Sequence, residues 1–234
     1  NTSEYKHKTA FTQNPKPAPP EPEIPFSVLK ALQNPKGNTF AHYLRYQAPF
    51  PFPTTAIQEV FQLYRIGTIP RGPFQGATAF PFIDDQGILR AVQVKQFDNQ
   101  NHTTRTTFLH SLLAQGYRQQ NQALPDWLRR YQQTEKKVCC LFGAHLLSQY
   151  PERTVGLVEA PKTALYATLY FGHPGQNPKA PLWLAAYSLN SLGRQKCMAL
   201  QGRNVRLFPD LSEDGQAYRL WQEKAEALNE QIPF

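Results

Sequence analysis

The sequence lacks several features that would place it in a specialised class of protein. Its apolar runs are all shorter than the roughly 20 residues that a membrane-spanning helix needs, so we expect no membrane-embedded function. Charged residues make up 18% of the chain, which is below the usual quarter, and apolar residues make up 41%. This balance predicts a folded chain with a substantial core.

Cysteine is also scarce. Cys139, Cys140 and Cys197 form neither an even disulfide framework nor a Cys-x-x-Cys pair. The first two are adjacent within the apolar run 138–142, which favours reduced thiols packed in the core. We therefore expect a reducing, cytoplasmic setting. The six histidines are dispersed along the chain, and no zinc site is predicted from them.

Positive charge is present in excess and is unevenly distributed. The formal net charge is +8, and residues 86–137 carry eight basic but only three acidic side chains. Such a localised positive field favours a polyanionic partner, although a solvated basic face would have the same composition. The residues that we predict to contact nucleic acid are Arg90, Lys95, Arg105, Arg129, Arg130 and Arg203.

The composition along the chain suggests three parts. Residues 1–25 are rich in proline and are predicted to be a linker. Residues 26–137 are expected to form a mixed α+β region. Its predicted elements are helices at 26–32, after Asn38, from Thr54 or Thr55 and over 123–133, a β-hairpin with strands 77–83 and 88–97, and a loop over 98–110.

Residues 138–234 have the most regular pattern. Short apolar runs alternate with helical stretches, which predicts a largely parallel sheet covered by helices on both faces, so the whole chain is expected to be an α/β protein. The predicted strands are 155–158, 182–185 and 205–208, and the predicted helices are 161–170, 191–200 and 216–229.

Acidic residues follow the first and the third of these strands. Glu159 comes directly after one apolar run, and Asp210 comes shortly after the other, with Asp214 four residues later. Because the carboxyl ends of parallel strands share one edge, we expect Glu159 and Asp210 to converge where such sheets bind ligands. Hard oxygen ligands at that place suit a divalent cation that acts on phosphate. In the structural alternative, these carboxylates only interact with helix N-termini.

Two of these segments resemble the motifs of Toprim domains, the metal-binding fold shared by bacterial primases, topoisomerases and some nucleases. Residues 155–165 (VGLVEAPKTAL) look like the first motif, and residues 206–215 (RLFPDLSEDG) look like the second, Asp-x-Asp-x-x-Gly. Three further segments, 141–147, 80–94 and 183–185, are similar to primase-type chains, and the set resembles Toprim-like proteins carried by bacterial mobile elements.

The resemblance implies a role for each matching residue. Glu159 would be the acid/base carboxylate, Lys162 would lie near the phosphate, and Asp210 would bind Mg²⁺ or Mn²⁺ together with Glu159 and Asp214. The chain departs from the motif at Ser212, which stands where the family has a second aspartate. This departure implies a weakened or absent metal site.

The resulting functional hypothesis is primase-like nucleotidyl transfer in the replication or transfer of a mobile element. The expected partner is single-stranded or duplex DNA, with RNA as an alternative. Two other hypotheses stay open: a catalytically degenerate Toprim scaffold that binds nucleic acid or a protein, and a metal-dependent Toprim-type nuclease. Primer formation would identify the primase-like enzyme. Binding without a metal requirement would identify the scaffold, and degradation of DNA without nucleotides would identify the nuclease.

Overall fold

Two sheets of different kinds organise the chain. A computed structural model describes residues 23–134 and 138–231. Its strands are β1 (Gly67–Thr68), β2 (Thr78–Ile83), β3 (Leu89–Phe97), β4 (Thr103–Phe108), β5 (Val155–Val158), β6 (Leu182–Ala185) and β7 (Val205–Phe208). The first sheet has the order β1-β2-β3-β4, and the second has the order β6-β5-β7.

Helices pack against both sheets. They are α1 (Phe26–Lys30), α2 (Thr39–Tyr46), α3 (Thr54–Leu63), α4 (Leu109–Gln119), α5 (Asp126–Gln132), α6 (Pro161–Phe171), α7 (Arg194–Cys197) and α8 (Gln216–Gln231). Single 3₁₀ turns lie at Ala144–Leu146, Leu189–Ser191 and Met198–Leu200. Among the described residues, none of these helices has the length and hydropathy of a bilayer-spanning segment.

The antiparallel sheet contains the predicted hairpin. Strands β2 and β3 pair through Ala79–Val94 and Phe80–Gln93, and the connection between them is closed by Gly87 with φ +84°. The predicted loop over 98–110 is wrong, because β4 pairs antiparallel with β3 and α4 begins at Leu109. Strand β4 is a polar edge strand that is rich in threonine, so it lacks the alternating apolar pattern that marks a half-buried strand.

The predicted linker lies mostly outside the described residues. Its last residues are described, and they belong to the fold: Ile24 is buried, and its backbone N–H donates to the carbonyl of Leu89 at 2.8 Å. The helix predicted to follow Asn38 is confirmed, since the Asn38 side chain accepts a hydrogen bond from the Ala41 N–H at 3.0 Å.

The second sheet is parallel, as predicted, with β5 at its centre. Gly156 in β5 is required by a close approach, since a Cβ there would lie 2.5 Å from the ring of Trp183 on β6. Pro161 opens α6 at its first turn. The helix predicted over 191–200 is wrong in extent: α7 has four residues and is flanked by 3₁₀ turns.

One continuous core joins the two sheets. It contains Phe40 of α2, Phe80 of β2, Leu157 of β5 and Trp221 of α8, each at most 1% exposed. The hydroxyl of Tyr64 lies at the same junction, 2.8 Å from Thr168 Oγ1 and 2.7 Å from the carbonyl oxygen of Trp183. The antiparallel sheet therefore rests on the parallel one, and the predicted division near residue 137 stays a prediction.

Candidate active site at the rim of the parallel sheet

The carboxyl ends of β5 and β7 bring two predicted acidic residues together. Val158 is the register partner of Phe208, so Glu159 follows one strand end directly, and Asp210 lies two residues beyond the other. Neighbouring strands lie roughly 4.8 Å apart, which makes the two residues neighbours on one rim of the sheet. The Glu159 carbonyl also accepts a hydrogen bond from the Tyr187 N–H at 3.0 Å. The strand register therefore puts the backbones of Glu159 and Asp210 at the same edge of the sheet.

Lys95 approaches this rim from the other sheet. Residues Ala91, Gln93, Lys95 and Phe97 share the face of β3 that meets the core between the sheets. Burial lowers the pKa of Lys95, whereas the negative charges of Glu159 and Asp210 act in the opposite direction. The Lys95 ammonium is therefore close enough to both carboxylates to feel their charge.

Lys162 in the first turn of α6 adds a second cation. Burial lowers its pKa first, the neighbouring Lys95 lowers it further, and Asp210 and Asp98 raise it. The Lys162 ammonium donates a hydrogen bond to the carbonyl of Asn101 at 2.8 Å and lies 5.1 Å from the centre of the Phe97 ring. The site thus contains two partly desolvated lysines beside two carboxylates, which come from four different elements.

This combination has a definite chemical capacity. Lysine ammonium groups bind phosphate oxygens as point charges, and the desolvation of these two lysines is relieved when an anion reaches them. Glu159 and Asp210 are hard oxygen donors, and Mg²⁺ binds through one or two carboxylates while it keeps several waters. The rim therefore fits a divalent cation and a phosphate group together.

Asp214 does not join this pair. Its carboxylate accepts a hydrogen bond from the Gln216 N–H at 3.0 Å, and Ser212 Oγ accepts one from the Ala217 N–H at 3.1 Å. The first of these bonds is the leading cause of the lowered pKa of Asp214. Both side chains therefore satisfy free N–H groups at the start of α8, and the predicted trio Glu159, Asp210 and Asp214 is corrected to a pair. Within residues 23–134 and 138–231, no group of three or more His, Cys, Asp and Glu side chains is arranged to hold a metal ion.

Two arginines that we predicted to contact nucleic acid have partners within the protein. Arg90 is 8% exposed, and its Nε lies 2.6 Å from Asp84 Oδ2 in a buried ion pair. Arg203 donates to the carbonyl oxygens of Leu147 at 3.1 Å and Tyr150 at 2.6 Å. The prediction failed for Arg90 because a count of basic residues does not distinguish buried guanidinium groups from surface charges. Arg203 is only partly buried, so its contact with nucleic acid stays a prediction.

The other predicted arginines lie on the antiparallel region. The Arg105 guanidinium lies 4.3 Å from the centre of the Phe74 ring and donates to the Pro73 carbonyl. Arg129 pairs with Asp126 on α5, and Arg130 is exposed beside it. Their contact with nucleic acid stays a prediction. Of the six predicted contact residues, Lys95 is the one that couples to the carboxylate rim.

Sequence reasoning missed one residue at the rim. Tyr187 follows the end of β6 with φ +97°, a backbone conformation that is strained for a bulky side chain. Its ring packs against Phe82 at 5.9 Å and Phe108 at 6.0 Å between centroids, while its N–H holds the Glu159 carbonyl. The strained residue thus links the antiparallel sheet to the backbone of Glu159, and the sequence carries no signal for this conformation.

The family model described as "Domain of unknown function (DUF6371)" matches residues 38–211. The chain belongs to this family. No curated protein matches the chain. The match covers the antiparallel sheet, the parallel sheet and both rim carboxylates, so the site lies within the family's domain.

Three solved structures were found to be similar to this DUF6371 protein. It is similar to the DnaG primase catalytic domain in its structure bound to ssDNA, with a TM-score of 0.51 and 15% identity over 86% of this chain and 64% of that chain. The primase fragment of the bacteriophage T7 primase-helicase protein gives a TM-score of 0.38 at 15% identity, over 75% of this chain and 57% of that one. The DnaG catalytic core gives 0.37 at 14% identity, over 88% and 79%.

The first comparison establishes a fold like that of a primase catalytic domain. The chain spans less than two thirds of the length of that primase structure. This fold is the one that the resemblance of the sequence motifs to primase-type chains implies.

Proposed function

We propose that this DUF6371 protein is a primase-like, nucleic-acid-handling enzyme that transfers nucleotidyl groups at the rim formed by Glu159 and Asp210. The observation that carries this proposal is that Glu159 and Asp210 follow the paired ends of β5 and β7. Two partly buried lysines accompany them: Lys95 couples electrostatically to both carboxylates, and Lys162 couples to Asp210. Buried positive charge beside paired carboxylates suits phosphate chemistry, in which positioning and charge neutralisation supply most of the rate. The primase-like fold supports the same assignment.

Each residue has a role in this chemistry. Lys95 and Lys162 hold the triphosphate of an incoming nucleotide by its anionic oxygens. A carboxylate oxygen of Glu159 accepts the proton of the attacking hydroxyl as that oxygen bonds to the α-phosphorus and pyrophosphate leaves. Asp210 and Glu159 would hold Mg²⁺ or Mn²⁺, which when bound supplies neutralisation of phosphate charge. The DNA of a mobile element as the template, and RNA as an alternative, stay predictions.

A second candidate has an observation in its favour. Ser212 and Asp214 are committed to the start of α8, so the rim has fewer carboxylates than the Toprim motif implies. A non-catalytic scaffold that binds nucleic acid through its basic surface would need no more than this. Under this candidate, Lys95 and Lys162 bind backbone phosphates without turnover.

Primer synthesis on a single-stranded template separates the candidates. We expect nucleotide- and Mg²⁺- or Mn²⁺-dependent products from the wild type, no product from Asp210→Ala, and normal activity from Glu213→Ala, which removes an exposed carboxylate from the same loop. Metal-dependent degradation of DNA without nucleotides would replace the proposal by a nuclease. Binding without a metal requirement, unchanged in Glu159→Ala and accompanied by no turnover, would favour the scaffold.

A further inference from the structure

A groove beside α2 lies next to the candidate site and has a different character. Its cavity volume is about 590 Å³, within the range of ligand pockets. The loop before α2, the exposed side of α2, the start of α3 and the turn after β3 form its walls. Lys36, His42 and Arg45 line it, and Asp98 is the acidic residue among its lining side chains. We refer to this cavity as the α2 groove.

Aromatic and cationic side chains are combined on the wall that α2 provides. Tyr46 is 59% exposed, with the Arg45 guanidinium carbon 4.8 Å from its ring centre and the His42 ring centroid at 5.0 Å. The opposite side of the same helix buries Phe40 and Leu44 completely. Tyr46 is therefore not needed for the core, and its ring is held by two neighbours in an accessible position.

The acidic residue in the groove is already engaged. One carboxylate oxygen of Asp98 accepts hydrogen bonds from the N–H groups of Gln100 at 2.9 Å and His102 at 2.8 Å. The His102 ring lies 3.5 Å from the other oxygen. These bonds stabilise the turn between β3 and β4 and use part of the hydrogen-bonding capacity of the Asp98 carboxylate. Lys36 and Arg45 outnumber this one carboxylate, so the lining carries a net positive charge.

Phe97 is shared by the α2 groove and the surroundings of the carboxylate rim. The Phe97 ring lines the groove, and Lys162 lies 5.1 Å from its centre. Phe40 packs against the same ring with 5.4 Å between centroids, which anchors α2 there. The groove and a lysine of the candidate site are thus separated by one residue.

We propose that the α2 groove binds an unpaired polynucleotide strand, with one base stacked on Tyr46 and with Lys36 and Arg45 on the flanking phosphates. Stacking platforms beside cations are the physical basis of single-strand binding, and they accept every base because each has a π-face. The direction of the strand towards the rim rests on the proposed function, whereas the stacking site itself does not. The cationic lining favours a polynucleotide over an apolar peptide as occupant.

Fluorescence anisotropy with labelled 12-mers of oligothymidylate and oligouridylate at low salt tests the proposal. Tyr46→Ala is expected to weaken binding at least roughly five-fold, the lower limit for the loss of one base stack, and Tyr46→Trp is expected to retain it. Tyr218→Ala is the matched control, because Tyr218 is 63% exposed on α8. Stronger binding of either oligomer identifies DNA or RNA as the preferred strand.

An abasic 12-mer with the same phosphates provides the decisive comparison. Tyr46→Ala should bind this oligomer as the wild type does, while Arg45→Ala should weaken binding of all oligomers and lower their salt dependence. Equal affinity of Tyr46→Ala and wild type for oligothymidylate and oligouridylate would overturn the stacking site, as would the absence of any binding by the wild type. Failure of primer synthesis with the Tyr46 effect intact would overturn the proposed function alone.

Discussion

The two sheets differ in how they use their charged residues. Strands β3 and β4 of the antiparallel sheet lie in the segment with the positive excess, yet Arg90 forms a buried ion pair and Arg105 lies on Phe74. The parallel sheet belongs to a segment with nine basic and eight acidic side chains, yet its strand ends carry both rim carboxylates. The comparison shows that the net charge of a segment does not identify the residues that act. The residues at the candidate site are identified by their position relative to the neighbouring sheet.

The largest effect is expected when the antiparallel sheet loses its buried arginine. Arg90→Met leaves Asp84 without its 2.6 Å ion-pair partner, and breaking such a pair typically costs about 3–5 kcal/mol. Chemical denaturation should show this loss, while Arg118→Met, at an exposed position of α4, should not. If Arg90→Met were as stable as the wild type and bound DNA more weakly, Arg90 would belong to the binding surface after all.

A pH-dependent effect is expected at the junction of the two regions. Burial lowers the pKa of His145 to about 4, and its Nε2 lies 3.2 Å from the Leu63 carbonyl oxygen. Because the unfolded state binds its proton at a higher pH than the folded state, stability should fall between pH 6.5 and about 4 and the loss should then level off. The maximum loss of unfolding free energy from this group is on the order of 3 kcal/mol.

The variant His145→Gln isolates this contribution. The glutamine amide can still donate to the Leu63 carbonyl, but it does not titrate. The difference in unfolding free energy between wild type and variant should change across that pH interval and stay constant above pH 7. A difference that is constant from pH 7 to 4 would mean that the folded and unfolded states bind the His145 proton equally, so that burial does not lower its pKa.

Lys95 offers the sharpest contrast with Arg90, because it lies on the same strand but couples to the rim carboxylates instead of a buried partner. Lys95→Met removes the ammonium from the carboxylate rim and should lower primer synthesis by roughly 10- to 100-fold, the effect of one lost charged contact. Stability should be unchanged or higher, since the folded state pays to bury this charge. Lys30→Met, at an exposed position, is the control. Loss of stability without loss of activity would make Lys95 a structural residue.

Local features could be predicted from the sequence. Contacts between residues that are distant in the chain could not. The Asn38 cap, the hairpin and the parallel strands follow from residue patterns within a few positions. The pairing of Glu159 with Asp210 follows from the strand order. The approach of Lys95 does not, because it requires the antiparallel sheet to pack on that rim. Strand β4 was missed because its exposed edge carries no apolar alternation.

The smallest effect is expected from a substitution at Ser212, in the loop between Asp210 and Asp214. Ser212→Ala removes the acceptor for the Ala217 N–H, and loss of such a cap costs about 0.5–2 kcal/mol. Primer synthesis and its dependence on Mg²⁺ should be unchanged, since the hydroxyl serves α8 and not the rim. Thermal unfolding and the metal titration are measured on the same sample. A shift in the metal requirement without a change in stability would instead assign Ser212 to the metal site, where the Toprim motif has its second aspartate. Asp210 could then no longer be separated, as a catalytic residue, from Ser212 and Asp214 as capping residues.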